Sequence, residues 1–201
     1  MGQAKQRKEE LKQRLLMNAD WWTFPASEWE ETLVEEILAL PAYAIPRADP
    51  ADLTAMKMSR NQCHANSLWY VRNDPNGESR AIPGWLVQGF DFTLHSVVES
   101  GDDLFCVTPG EPDETEIFFI PDPKIEWIET GANCSAVRNG EEIGVGIRRF
   151  PAYTIALHQM IRYRLFVGMD PDQAQYFSAE ELDALMRQHL TAKERKMLEE
   201  A

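Results

Sequence analysis

Hydrophobic positions change their period twice along this chain, and the changes predict helices, then a sheet, then helices again. Residues 4–18 place Leu11 and Leu15 at helical spacing among Lys5, Arg7, Lys8, Lys12 and Arg14, which predicts a helix with one narrow apolar stripe. The aromatics of Asp20-Trp21-Trp22-Thr23-Phe24-Pro25 end it and anchor it to a core. Ser27-x-x-Glu30 has the form of a capping box and predicts a second helix to Leu40, with Trp29, Leu33, Ile37 and Leu40 inward and Glu28, Glu31 and Glu35 in water. Pro41, Pro46 and Pro50 make 41–50 an extended connector. Ser59-x-x-Gln62 fits another capping box, and Ala65, Leu68, Trp69 and Arg72 follow it at helical spacing.

The period then falls to two. Strands are expected at 81–88, 90–98, 104–108 and 116–120, with 124–129 as a fifth and a weak hairpin around Asn139-Gly140. From Tyr153 to Val167 the helical period returns, and Ile155, Leu157, Met160, Ile161, Leu165 and Phe166 cover most of the circumference, so this helix is expected to be buried. Ser178-x-x-Glu181 and Thr191-x-x-Glu194 open two closing helices. The expected fold is α+β: a cysteine-bearing helix packed on a mainly antiparallel sheet of about four to five strands, with N-terminal and C-terminal helices. The expected segments are 1–50, 51–150 and 151–201.

Composition narrows the function classes. The 201 residues are 44% hydrophobic and carry a formal charge of −13, enough apolar material for a core and the wrong sign for general nucleic-acid binding. Five of the positive charges sit in the first fourteen residues beside Glu9 and Glu10, a solvated helix that offsets the acidic surface or meets a protein partner through the terminal helices. The three cysteines, Cys63, Cys106 and Cys134, form no disulfide framework, which points to a reducing compartment. Without an apolar signal or a bilayer-length run, a cytoplasmic location and no membrane role are expected.

The chemistry centres on Asn61-Gln62-Cys63-His64-Ala65-Asn66 and on Phe92-Thr93-Leu94-His95-Ser96. A cysteine in the first turn of a helix meets free N–H groups and the positive end of the helix dipole, which favour a thiolate. His95 is the base expected to lie within hydrogen-bond reach of that sulfur, and Gln62 or the Cys63 N–H is the oxyanion donor. Gly101-Asp102 suits a two-residue II′ turn that would pair Val97 with Cys106 and His95 with Thr108, so either Cys106 or Thr108 would touch the imidazole.

This order resembles the papain-like superfamily, and within it the branch with transglutaminase-like and arylamine acetyltransferase-like order. Cys63 matches the helix cysteine, and His95 in His-Ser-Val-Val-Glu matches the strand histidine. The family carries an aspartate on the next strand. Here Leu104-Phe105-Cys106-Val107-Thr108-Pro109 places Cys106 at that position, and Asp122 is a second candidate for the acid. The resemblance covers about residues 59–122 and implies acyl transfer or hydrolysis on a small amide, a thioester or a protein, with no cofactor. Two other readings compete. Cys63, His95 and Cys106, with His64, are a donor set suited to zinc, although adjacent Cys-His side chains diverge on a helix. The chain could also be a non-catalytic interaction or accessory protein on a degenerate papain-like frame.

Overall fold

The computed structural model describes residues 2–110, 114–130 and 133–199. In chain order the elements are α1 (Gln3–Trp22), α2 (Glu28–Leu38), β1 (Tyr43–Pro46), α3 (Pro50–Ala55), α4 (Cys63–Arg72), β2 (Ser79–Gln88), β3 (Asp91–Ser100), β4 (Asp103–Phe105), β5 (Glu116–Pro121), β6 (Ile125–Thr130), β7 (Asn133–Arg138), β8 (Glu141–Ile143), β9 (Gly146–Arg148), α5 (Pro151–Phe166), α6 (Pro171–Ala174), α7 (Ala179–His189) and α8 (Ala192–Glu199). The fold is α+β. A six-stranded sheet runs β1-β5-β2-β3-β4 with β9 also on β3, and β6-β7-β8 form a second, three-stranded sheet.

The chain divides into two compact units. One joins residues 1–28 to 148–201, and the other is 29–147. The first is discontinuous because the narrow stripe of α1 needs a cover: Leu15 is buried with Ile161 and Leu165 of α5 and Ala174 of α6. Arg148 lies over the Phe24 ring and donates to the carbonyls of Trp22, Phe24 and Pro25, so the end of α1 is tied down as the aromatic run predicts. The α5 expectation is only half right. Ile161 and Leu165 are buried, but Phe166 is 85% exposed and Met160 and Tyr163 face solvent, because one flank of this helix has no neighbour within its unit.

In the second unit, α2 buries Leu33, Val34, Ile37 and also Glu30, while Trp29 turns outward. The proline-rich connector is more ordered than its composition suggests. Tyr43–Pro46 adds an edge strand to β5, where a terminal proline costs no ladder bond needed by a further strand. The fifth strand expected at 124–129 forms as β6, and it opens the second sheet rather than extending the first. Strands β2 and β3 form the long central hairpin, and Gly84 stands opposite His95. No helix among the described residues is long and apolar enough to cross a membrane.

Candidate functional site

The cysteine helix begins one turn later than Ser59 would make it. Lys57 and Asn61 have φ of 58° and 59°, a left-handed backbone that a helix cannot contain, so α4 starts at Cys63 with Gln62 as its cap. Gln62 is exposed and makes no side-chain capping bond. Asn66 does the holding. Its buried amide accepts from the Ser59 N–H at 3.2 Å, donates to the Ser59 carbonyl at 2.8 Å, and reaches Thr108 Oγ1 at 3.3 Å. One side chain thereby ties the α3–α4 loop and the segment after β4 to the first turn of α4.

The Cys63 sulfur occupies a gap in the sheet. Leu94 donates its N–H to Val145 at 3.0 Å, so its carbonyl points to the same edge of β3, while the β4 ladder begins only at Val98. In the interval, Cys63 Sγ lies 4.0 Å from the Leu94 carbonyl oxygen. The backbone N–H groups of Ser96, His64 and Cys63 itself bear on the sulfur and favour its anion. Burial outweighs them and pushes the thiol up to about 11, although the residue as a whole is only half-buried.

His95 does not meet Cys63. Among the described residues its hydrogen-bond partner is Cys106, with Nε2 at 3.3 Å from Sγ. The cause is strand alternation: His95 and Ser96 leave β3 on opposite faces. Ser96 turns toward α4, with its Oγ 3.5 Å from His64 Nδ1. The His95 ring turns toward Phe119, at a centroid distance of 6.2 Å. A Cβ on Gly84 would come within 2.5 Å of the Phe119 ring and 2.3 Å of the Ile120 carbonyl, so this packing requires glycine there. Burial and the Arg47 guanidinium hold the His95 imidazole down at about 3.

Cys106 stands where the turn register places it. Val98 pairs with Phe105 and Ser100 with Asp103 around Gly101, whose φ is +62°. Its sulfur is fully buried and lies 3.4 Å from the Thr108 N–H and 3.5 Å from Arg47 Nη1. Burial raises its pKa, opposed by Thr108 and Arg47. Arg47 also donates to the Thr108 carbonyl and to Glu114, so it clamps the segment after β4 against the end of β1. Thr108 therefore touches Cys106 and Asn66 rather than the imidazole. A charge on Cys106 would raise the Cys63 pKa further, which puts the two sulfurs within electrostatic range.

Three groups escaped the sequence reading: the Trp127 ring, the Ser96 hydroxyl and Arg47. His64 stacks on Trp127 with centroids 4.2 Å apart, and Trp127 Nε1 donates to Ser96 Oγ at 3.1 Å, so a ring pair and a hydroxyl wall one side of the cysteine helix. Arg47 was hidden in a connector. No spacing rule links these residues, because they meet across three separate elements. Asp122 is not the acid beside His95: it accepts from Trp85 Nε1 at 2.9 Å, Arg138 Nε at 2.7 Å and the Lys124 N–H at 3.0 Å. The zinc set does not converge, since His64 turns to Ser96 and Trp127, and among the described residues no group of three His, Cys, Asp or Glu side chains could hold a metal ion. Cys134 lies exposed on β7.

Comparison with protein-family models, with curated proteins and with solved structures gives no match.

Proposed function

We propose that this chain carries out thiol-dependent acyl transfer or hydrolysis at Cys63, on an amide or thioester. The observation that supports it is the place of Cys63 in the first turn of α4, where unpaired backbone N–H groups favour a thiolate, with its sulfur 4.0 Å from the Leu94 carbonyl in the interval between Leu94 and the β4 ladder. In the proposed step Sγ attacks the acyl carbonyl and forms the S–C bond, and the thiol proton passes to water, since His95 leaves β3 on the face opposite to α4. The tetrahedral oxyanion draws on the N–H groups at the start of α4, the leaving group departs with a proton from water, and water or an amine resolves the acyl-enzyme. No cofactor enters this scheme. A thiol near 11 is neutral at rest, so turnover at neutral pH is slow.

The test is acylation by p-nitrophenyl acetate, read by peptide mass spectrometry. The exposed Cys134 serves as an internal reference. The acetyl group is expected on Cys63, with p-nitrophenolate release abolished by Cys63→Ala. Acetyl found only on Cys134, or release that survives Cys63→Ala, overturns the reading.

A second reading, a protein partner for the terminal helices, draws on Phe166, Tyr163 and Tyr176, which are 85%, 62% and 72% exposed. Phe166→Glu should abolish such binding and leave acetylation of Cys63 unchanged.

A further inference from the structure

We infer that the outer face of α5 and the turn that follows it pair with the same face of a second copy of this chain, as a two-fold dimer. This deepens the reading of a protein partner for the terminal helices by naming that partner, and it does not depend on Cys63. Met160, Tyr163, Phe166 and Val167 recur at helical spacing and are all exposed, so they form one apolar stripe on the flank of α5 that has no neighbour within its unit. The stripe runs into a rigid turn. Gly168 is left-handed, with φ of 86°; its N–H donates to the Leu165 carbonyl at 3.2 Å, and the Met169 N–H donates to the Arg164 carbonyl at 2.9 Å, the two bonds of a Schellman end. Arg164 also donates to the Tyr176 carbonyl at 2.6 Å, which holds the exposed Tyr176 to the same end of the helix.

Size and charge both name a second copy. At their exposures, Tyr163, Phe166 and Tyr176 alone offer roughly 300–500 Å² of apolar surface, as much as the largest patch on an ordinary monomer. Met160, Val167, Met169 and a polar rim bring the face towards the about 800 Å² that each partner gives to a standard interface. A two-fold contact sets a face against itself, so an unpaired charge on it would meet its own like. None of the six side chains is charged. Both arginines of α5 are engaged within the chain, Arg162 by Asp20 and Arg164 by Glu181, and Asp170 in the turn is engaged by Lys8. A charged partner would find these counter-charges already taken. The unit that carries the face is also close to neutral: residues 1–28 and 148–201 hold 13 Lys and Arg against 12 Asp and Glu, whereas residues 29–147 hold 7 against 21. The acidity that would drive two copies apart is thus concentrated in the other unit, and salt screens it.

The experiment is sedimentation velocity on the full chain, with reductant present so that the exposed Cys134 forms no cross-link. A monomer–dimer midpoint in the micromolar range or below is expected. It should fall as salt is raised, because an apolar contact survives screening and the repulsion between acidic chains does not. Phe166→Glu sets like charges across the two-fold axis and should raise the dissociation constant by about 30-fold or more. Phe118→Glu, at an exposed position of β5 in the other unit, should leave it unchanged. A dimer that salt dissociates, or one that survives Phe166→Glu, overturns the assignment. A chain still monomeric at about 100 μM, above the expected range, also overturns it. Maleimide labelling of Phe166→Cys in that monomer then separates two failures. Ready labelling leaves the face to a different partner and removes only the second copy, whereas protection shows the face covered from within the chain and ends the partner reading as well.

Discussion

Two buried polar clusters lie in the same unit and are built on opposite principles. Around Asp122, a carboxylate meets a guanidinium, an indole N–H and a backbone N–H, and Arg138 reaches on to Glu36 at 2.7 Å. Each charge has a counter-charge at hydrogen-bond distance. Around His95, the ring nitrogen Nε2 meets the sulfur of Cys106, and the nearby guanidinium of Arg47 opposes protonation of the ring. The first cluster locks the sheet together, since its charges are useful only in one arrangement. The second is held neutral by burial, and a modest change in charge would redirect it. Charge pairing is thus concentrated in the first cluster, even though both clusters draw on a buried arginine.

The largest effect should come from breaking the first cluster. Asp122→Ala leaves Arg138 buried without one of its carboxylates, and loss of one partner from a buried pair costs about 3–5 kcal/mol. Urea unfolding followed by tryptophan fluorescence should show this, and a loss under 1 kcal/mol would erase the contrast between the clusters. Gly84→Ala comes next. Its Cβ would sit 2.3 Å from the Ile120 carbonyl, so β2 and β5 must separate, at an expected cost of about 1–3 kcal/mol in the same assay.

Cys106→Asp converts the second cluster toward the first. A carboxylate placed between His95 and Arg47 should raise the imidazole pKa by about 1–3 units, measured by the pH dependence of its ring NMR signals. An unmoved His95 titration would show that Cys106 does not govern the ring.

The smallest effect is in pH dependence. His95 is lowered from 6.5 to about 3, so its contribution to stability is complete above 6.5 and is lost as pH falls toward 3, by at most about 1.4 kcal/mol per pH unit. His158, stacked on Trp22 in the other unit and lowered to about 4 by burial and by Arg148 and Arg162, loses its share between 6.5 and 4. Cys63 runs the other way: raised from 9.0 to about 11, it favours the folded state below 9.0 and loses that contribution as pH rises toward 11. His95→Gln should flatten the acid limb in urea titrations and leave the alkaline limb in place.

The element types were legible before any coordinates, and so was the β3–β4 register. A two-residue turn leaves one pairing, and period-two alternation then puts Cys106 on the same face as His95. The partner of Cys63 was not legible. Alternation within β3 says only that His95 and Ser96 diverge, and which of them faces α4 depends on the face to which the helix packs. Asp122 misled for a related reason: a carboxylate between two prolines reads as a turn or an acid, and only the sheet brings Trp85 and Arg138 to it.

What the sequence alone determined is local: helix stripes, strand alternation, the Gly101 turn, and a cysteine at a helix start. These depend on neighbours a few positions apart, where backbone geometry leaves few options. Tertiary structure decided everything that needed two distant segments at once. It joined the stripe of α1 to α5, drew β1 out of a proline-rich connector, gave Arg47 to Cys106, and placed the Cys63 sulfur at the edge of β3. Those choices follow from burying the most apolar surface while leaving few polar groups unpaired, a balance struck over the whole fold.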